Sequence, residues 1–263
     1  MMTGPAKTRD EQEADETQRK LPWVIDVFAY PTNVWGLALL VVFVFGPALV
    51  GFLGFLLGKL LKSLDLGYFA MVVALPAGLL LGILRGIFSA YMFWYFGVCI
   101  RDSAKGHVRA PSVLVMGGGD DLSDMIIEML QMGCGIGICL GPAFAYWGLT
   151  EQVDIIFWSL LSLGVFFLPM ALLGVVMFDS LGGLNPVLII VSIFSSFFEY
   201  LGVVAAFYVP VGIITMIVIF GSYWGGVLGG LLLQFITVYL LLVAAHILGR
   251  FYWRNEEKLY WEV

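Results

Sequence analysis

From Asn33 onward the chain alternates long apolar runs with short polar turns, and the runs have the length of membrane crossings, roughly 20 residues each. The first covers about residues 33 to 57. Trp35 suits one membrane boundary, Lys59 and Lys62 suit the other, and Pro47 is placed to kink the helix between them. The second run, about 67 to 98, contains Pro76 and Arg85 and is too long for one untilted crossing, so the pattern predicts a single long helix that bends or tilts. A third span is predicted at about 131 to 149 and a fourth at about 154 to 178, separated by the acidic turn TEQVD.

The stretch DSLGGLNPVLIIVSIFSSFFEY is ambiguous. Pro186 can start a helix, while Ser192, Ser195, Ser196 and Glu199 give its later part a polar side. If residues 187–198 lie at the membrane interface, a fifth span follows at about 200 to 221 and a sixth at about 226 to 249. If 187–208 crosses, residues 209–250 must hold one or two more helices, and the count is six or seven. The expected fold class is therefore an all-α integral membrane protein, a bundle of about six transmembrane helices with seven as the alternative, plus an amphipathic helix on the cytoplasmic side.

Composition agrees: 61% of residues are hydrophobic and 12% charged, with a mean hydropathy of +0.98. Residues 1–22 mix acids and bases without the apolar core of a signal peptide and read as a disordered cytoplasmic tail. A polytopic membrane domain over 23–250 follows, with a polar connector at 99–130 and a short cytoplasmic tail at 251–263. Basic residues fix the orientation. With six spans, Arg19, Lys20, Arg101, Lys105, Arg109, Arg250, Arg254 and Lys258 share one side, which places both termini in the cytoplasm, with Lys59 and Lys62 as exceptions. The net charge of -6 offers no basic surface for nucleic acid, leaving membrane lipids, another membrane protein or a second copy as partners.

The acid-rich stretch MGGGDDLSDMIIEML, residues 116 to 130, is the main chemical candidate. A phosphate loop needs a following Lys and Ser or Thr, and GGGDD supplies carboxylates instead. DDLSD has the D-D-x-x-D form and is similar to the aspartate-rich motif of membrane prenyltransferases. That resemblance implies Mg2+ held by Asp120, Asp121 and Asp124, with Glu128 extending the set and Arg101, Lys105 and Arg109 offsetting a diphosphate. A second aspartate-rich motif is lacking, Glu151 with Asp154 being the nearest candidate. The simpler reading makes Asp120 a helix cap and the acids first-turn residues, with Leu122, Met125, Ile126, Met129 and Leu130 as an apolar face. An acidic polar face is poorly suited to anionic lipid, so Asp121, Asp124 and Glu128 are expected to meet the basic segment 101–109 or a basic partner.

Within or at the ends of the spans stand Arg85, Asp179, Glu199, Gln234 and His246. Ionisable groups at membrane depth are costly and usually paired, which predicts Arg85 pairing with Glu199 or Asp179, lining a transport path, or lying at a boundary. His246, one turn before Arg250, is expected at the interface. Glycines repeat at four-residue spacing in GFLLG from Gly54, GLLLG from Gly78, GILRG from Gly82, GCGIG from Gly133 and GICLG from Gly137, which suits close helix packing, inside the bundle or against a partner. Cys99, Cys134 and Cys139 read as buried small hydrophobes. With only His107 and His246, and no G-x-S-x-G, no activated nucleophile is apparent.

The segments YFGVCIRDSAKGHVRAP, FDSLGGLNPVLII and YLLLVAAHILGRFYWRNEEKLYW resemble an uncharacterised family of bacterial multi-pass membrane proteins, distantly similar to Yip-type proteins. The resemblance implies a compact helical bundle in the bacterial cytoplasmic membrane, with an interfacial element after LNP, and no defined activity. The leading functional expectation is a non-enzymatic scaffold or accessory subunit of a membrane complex, without a cofactor. The alternatives are a small-solute or lipid transporter using Arg85, Asp179 and Glu199, and a magnesium-dependent prenyltransferase using Asp120, Asp121 and Asp124.

Overall fold

The computed structural model describes residues 23–64, 68–111, 122–221, 227–259 and 261. The described residues form eight α-helices and no strand: α1 Trp23–Phe28, α2 Val34–Ser63, α3 Tyr68–Ala104, α4 Leu122–Thr150, α5 Ile155–Phe178, α6 Pro186–Ser195, α7 Phe197–Gly221 and α8 Val227–Leu259. Short 3-10 turns at Tyr30–Thr32 and Leu181–Leu184 precede α2 and α6. Helices α2, α3, α4, α5, α7 and α8 are long and apolar enough to cross a membrane, whereas α6, with 10 residues, is too short. The chain is a multi-pass, all-α membrane protein with six candidate spans. The expected tail at 1–22 lies outside the described residues.

Three boundaries differ from the sequence reading. Helix α3 runs on to Ala104, so Arg101 belongs to its last turn and not to a connector starting at residue 99. The amphipathic segment after Asp121 is the first part of α4 and continuous with the third span, with no proline between Leu122 and Pro142. Its inward face is Met125, Glu128, Met132 and Gly135, while Leu122, Ile126 and Leu130 are exposed. Of the segment 251–263, expected as a short tail, the described residues up to Leu259 are helical and packed. Helix α8 extends to Leu259, burying Phe251, Tyr252, Asn255 and Leu259, and Trp261 beyond it donates from Nε1 to Ser192 Oγ at 2.7 Å.

Helix α8 is the central post. Between Leu242 and Tyr252 every residue is buried, so this stretch is surrounded on all sides. It packs on α3 and α7, and more lightly on α2, α5 and α6. The α3 contact brings backbones together: a Cβ on Gly249 would stand 2.3 Å from the Ile100 carbonyl oxygen. On the other side, α5 closes on α4 at Gly164, where a Cβ would meet the Cys139 carbonyl oxygen at 2.1 Å.

Prolines inside the spans leave carbonyls without their helical N–H, and long-range side chains satisfy two of them. Pro47 cannot bond the Phe43 carbonyl; Gln234 of α8 donates to it at 2.8 Å. Pro169 frees Val165 in the same way, and the Tyr208 hydroxyl of α7 donates to that oxygen at 2.6 Å. Gln234 thus acts as a tie between α8 and α2.

The outer halves of α2 and α3 differ from the rest. After Val50 in α2, and before Ala90 in α3, no described residue is buried. None of the apolar window of α3 is buried inside the bundle, against 50% in α5 and α8. The two helices meet here as a hairpin that adds nothing to the core.

The glycines separate accordingly. Gly249→Ala is expected to force α3 and α8 apart and cost roughly 1–3 kcal/mol, whereas Gly133, with no atom within 4 Å of a built Cβ, should accept Ala with unchanged or slightly higher stability. Thermal unfolding in mild detergent checks both.

Candidate functional site

At the end of the bundle where α3, α5 and α8 finish and α4 and α7 begin, polar side chains gather into a buried layer. Its anchor is Arg101. The guanidinium Nη1 donates to Glu128 Oε1 at 2.8 Å and Nη2 to Oε2 at 3.1 Å, a two-pronged pair with a carboxylate side chain only 5% exposed. Nη1 also reaches the Val176 carbonyl at 3.4 Å, one of the last-turn oxygens of α5 that have no helical donor. One cation therefore joins α3, α4 and α5.

The local sequence explains how Glu128 gets there. Gly97 lies one turn before Arg101 on α3, and a Cβ at that position would stand 1.8 Å from Glu128 Oε1. The missing side chain is the channel through which the carboxylate crosses α3. Of the expected meeting between acidic face and basic segment, the structure realises this pair. Asp124 is exposed and makes no ion pair among the described residues; Lys105 and Arg109 are exposed, and His107 turns to Asp102 of its own chain segment at 3.1 Å. Asp120 and Asp121 lie outside the described residues.

The rest of the layer is made by α3, α8 and the turn before α2. Ser103 and His246 share a hydrogen bond of 2.8 Å between Oγ and Nδ1, and the imidazole stacks on Tyr30 with centroids 4.1 Å apart. All three side chains are 0% exposed. His246, expected near the interface, lies in this end layer and is fully enclosed by protein. A hydroxyl beside an imidazole has the geometry of an activated nucleophile, but its complete burial denies a substrate any approach. Burial also pushes the Tyr30 phenol well above its ordinary range, which keeps it neutral as it donates to the Cys99 carbonyl at 3.4 Å. Arg250 donates to the Gly106 carbonyl at 2.7 Å and lies over the Trp253 ring at 4.1 Å.

The expected partners of Arg85 are elsewhere. Glu199 binds Lys258 at 2.6 Å, and Asp179 ends α5 in a left-handed conformation, its carbonyl accepting from Gln131. The structure therefore does not bring Arg85, Asp179 and Glu199 to one path. The suggested second acidic motif is also spent. Asp154 caps α5 by accepting from the amides of Ile156 and Phe157, and it takes the Tyr146 hydroxyl at 2.7 Å, which with those amides holds its carboxyl below the usual range. Glu128, the outer member of the first motif, has both oxygens on Arg101. Among the described residues no three His, Cys, Asp or Glu side chains gather as metal ligands.

Arg85 instead lines a cleft of about 360 Å³ between the outer halves of α2 and α3. Gly54 and Gly58 form one wall, Gly78 and Gly82 the other, and the guanidinium lies beside Gly51. These are the glycines of the four-residue repeats, and apart from Gly54, which touches Leu81, a Cβ on any of them meets no atom within 4 Å. The repeats are open, while tight packing falls to Gly97, Gly164 and Gly249 outside them. Gly51 is eight residues before Lys59, which sets Arg85 about 12 Å inside the level of that lysine. Among the described residues Arg85 has no acidic partner. The sequence marked Arg85 and the glycines separately; that they face each other depends on the α2–α3 register, which no local pattern encodes.

No family model, curated protein or solved structure matches the chain.

Replacing Arg101 by Met strands a buried carboxylate, and Gly97→Ala expels it. Each is expected to cost about 3 kcal/mol, lowered from the fully buried case by the partial exposure of Arg101. Asp124→Asn should leave unfolding unchanged. Thermal melts of the three variants in one detergent give the comparison.

Proposed function

We propose that the protein is a non-enzymatic scaffold or accessory subunit of a membrane complex, and that it takes one transmembrane helix of a different protein into the cleft between α2 and α3. The observation that carries this reading is Arg85, a cation without an acidic partner among the described residues, set in a glycine-lined cleft inside the apolar zone. An arginine at membrane depth costs about 3 kcal/mol unless it is paired or reaches water. Glycine stripes facing open space give no packing energy, but they allow a helix backbone to approach closely. Both features are met by an apolar helix carrying one Asp or Glu about two turns inside the membrane face.

A second copy of this chain meets the requirement poorly. The acids of its described helices lie near helix ends, and Glu128 is already bound to Arg101. A partner of different sequence supplies what is lacking. The reading includes a bacterial cytoplasmic membrane, with the Arg101 and Arg250 end and both termini in the cytoplasm, as the basic residues favour.

Affinity-tagged full-length protein, extracted in mild detergent, is expected to retain another membrane protein in stoichiometric amount. Arg85→Leu removes the charge and Gly82→Leu fills the cleft; either is expected to release the partner without lowering the melting temperature. A partner retained by both variants, or wild-type protein that purifies alone, contradicts the proposal.

A further inference from the structure

A second cleft, about 530 Å³, opens between the first turns of α7 and the end of α8, with Val27 of α1 at its side. Its outer part carries Glu199, Arg254, Asn255 and Lys258; its inner part carries Val203, Ala206 and Ile247. The division follows the helices. Val203 and Ala206 lie four and seven residues beyond Glu199, about 6 and 10 Å deeper along α7, while α8 passes from apolar Ile247 to Arg250, Arg254 and Lys258 on one face. The cleft is charged at the membrane boundary and apolar toward the interior.

Three cations and one acid line it, an excess of two positive charges. Glu199 is already held by Lys258 at 2.6 Å, which leaves no free carboxylate to attract a choline or ethanolamine headgroup. Arg250 is engaged with the Gly106 carbonyl and the Trp253 ring. Arg254 is exposed, makes no ion pair among the described residues, and has a planar fork of donors that matches phosphate oxygens. Lys258 keeps further donors beyond the one given to Glu199.

We infer that this cleft binds one anionic phospholipid of the surrounding membrane, its phosphate on Arg254 and Lys258 and an acyl chain along Val203, Ala206 and Ile247. The apolar inner wall is what distinguishes a lipid from a free phosphate ion. Gly202, also on the lining, has no atom within 4 Å of a built Cβ, so the space beside it is open to a chain. The site is remote from Arg85 and independent of any helix partner.

The test uses full-length protein in mild detergent, followed by thermal unfolding and by native mass spectrometry after titration with phosphatidylglycerol, phosphatidylcholine or inorganic phosphate. Phosphatidylglycerol is expected to raise the melting temperature and leave one lipid adduct per chain, and the other two are expected to do neither. Arg254→Gln should weaken the apparent affinity about tenfold, the effect of losing one charge-assisted contact. Gly202→Leu should block the adduct while keeping every charge. Lys59→Gln and Lys62→Gln should bind as wild type. Equal effects of phosphatidylcholine, a full shift from phosphate alone, or undiminished binding by both Arg254→Gln and Gly202→Leu overturns the inference.

Discussion

The approach of α3 and α8 at Gly249 governs the polar end of the bundle. With no side chain at that position, the α8 backbone lies against the Ile100 carbonyl, and the two helices are close enough for their polar groups to meet directly. Ser103 then reaches His246, Arg250 reaches the turn at Gly106, and Tyr30 seals the pair from above. In hydrocarbon, where water cannot compensate an unmade hydrogen bond, such polar groups are tolerable only when distances of this kind are met together. The same demand explains Gln234 and Tyr208, which donate to carbonyls released by Pro47 and Pro169.

The treatment of charge divides the molecule in two. At the polar end every strongly buried ionisable group described above is drawn into a network: Glu128 has Arg101, and Arg101 also holds the end of α5. On the outer halves of α2 and α3 the logic is reversed. Arg85 sits within the apolar zone beside glycines that touch nothing, in a hairpin that adds no buried residue to the core. At the polar end the buried charges are met within the chain. At the other, an arginine without an acidic partner among the described residues faces open glycines, and the scaffold proposal rests on that contrast.

The six spans were legible in the sequence because crossing length is a one-dimensional property: roughly 20 apolar residues announce themselves without reference to neighbours. Pro186 and the serines of α6 left residues 187–198 ambiguous, and it is the 10-residue length of α6 that makes it too short to cross. What the sequence left obscure depends on packing between distant residues. Four-residue glycine spacing identifies residues on one helix face but not whether that face has a neighbour, so Gly78 and Gly82 looked the same as glycines that pack. Glu128 was read with the acidic surface because its burial depends on the gap at Gly97, thirty-one residues earlier. That His246 is enclosed, with the whole stretch from Leu242 to Tyr252, depends on neighbours that its proximity to Arg250 does not reveal. Of the candidate site, charge sign pointed to a meeting of the acidic face with segment 101–109, of which Arg101–Glu128 is the pair formed, and Arg85 was marked by its cost, while Glu199 is bound to Lys258.

The central claim is that the α2–α3 cleft receives another protein's helix rather than lipid alone. Site-specific photo-crosslinking in intact native membranes addresses it directly, with the photoreactive residue placed at Gly82 inside the cleft. The account predicts a discrete adduct whose mass gain is that of a second, different membrane protein, and loss of that adduct when Arg85 is also replaced. Adducts of lipid mass only, or of a second copy of this chain, would contradict it.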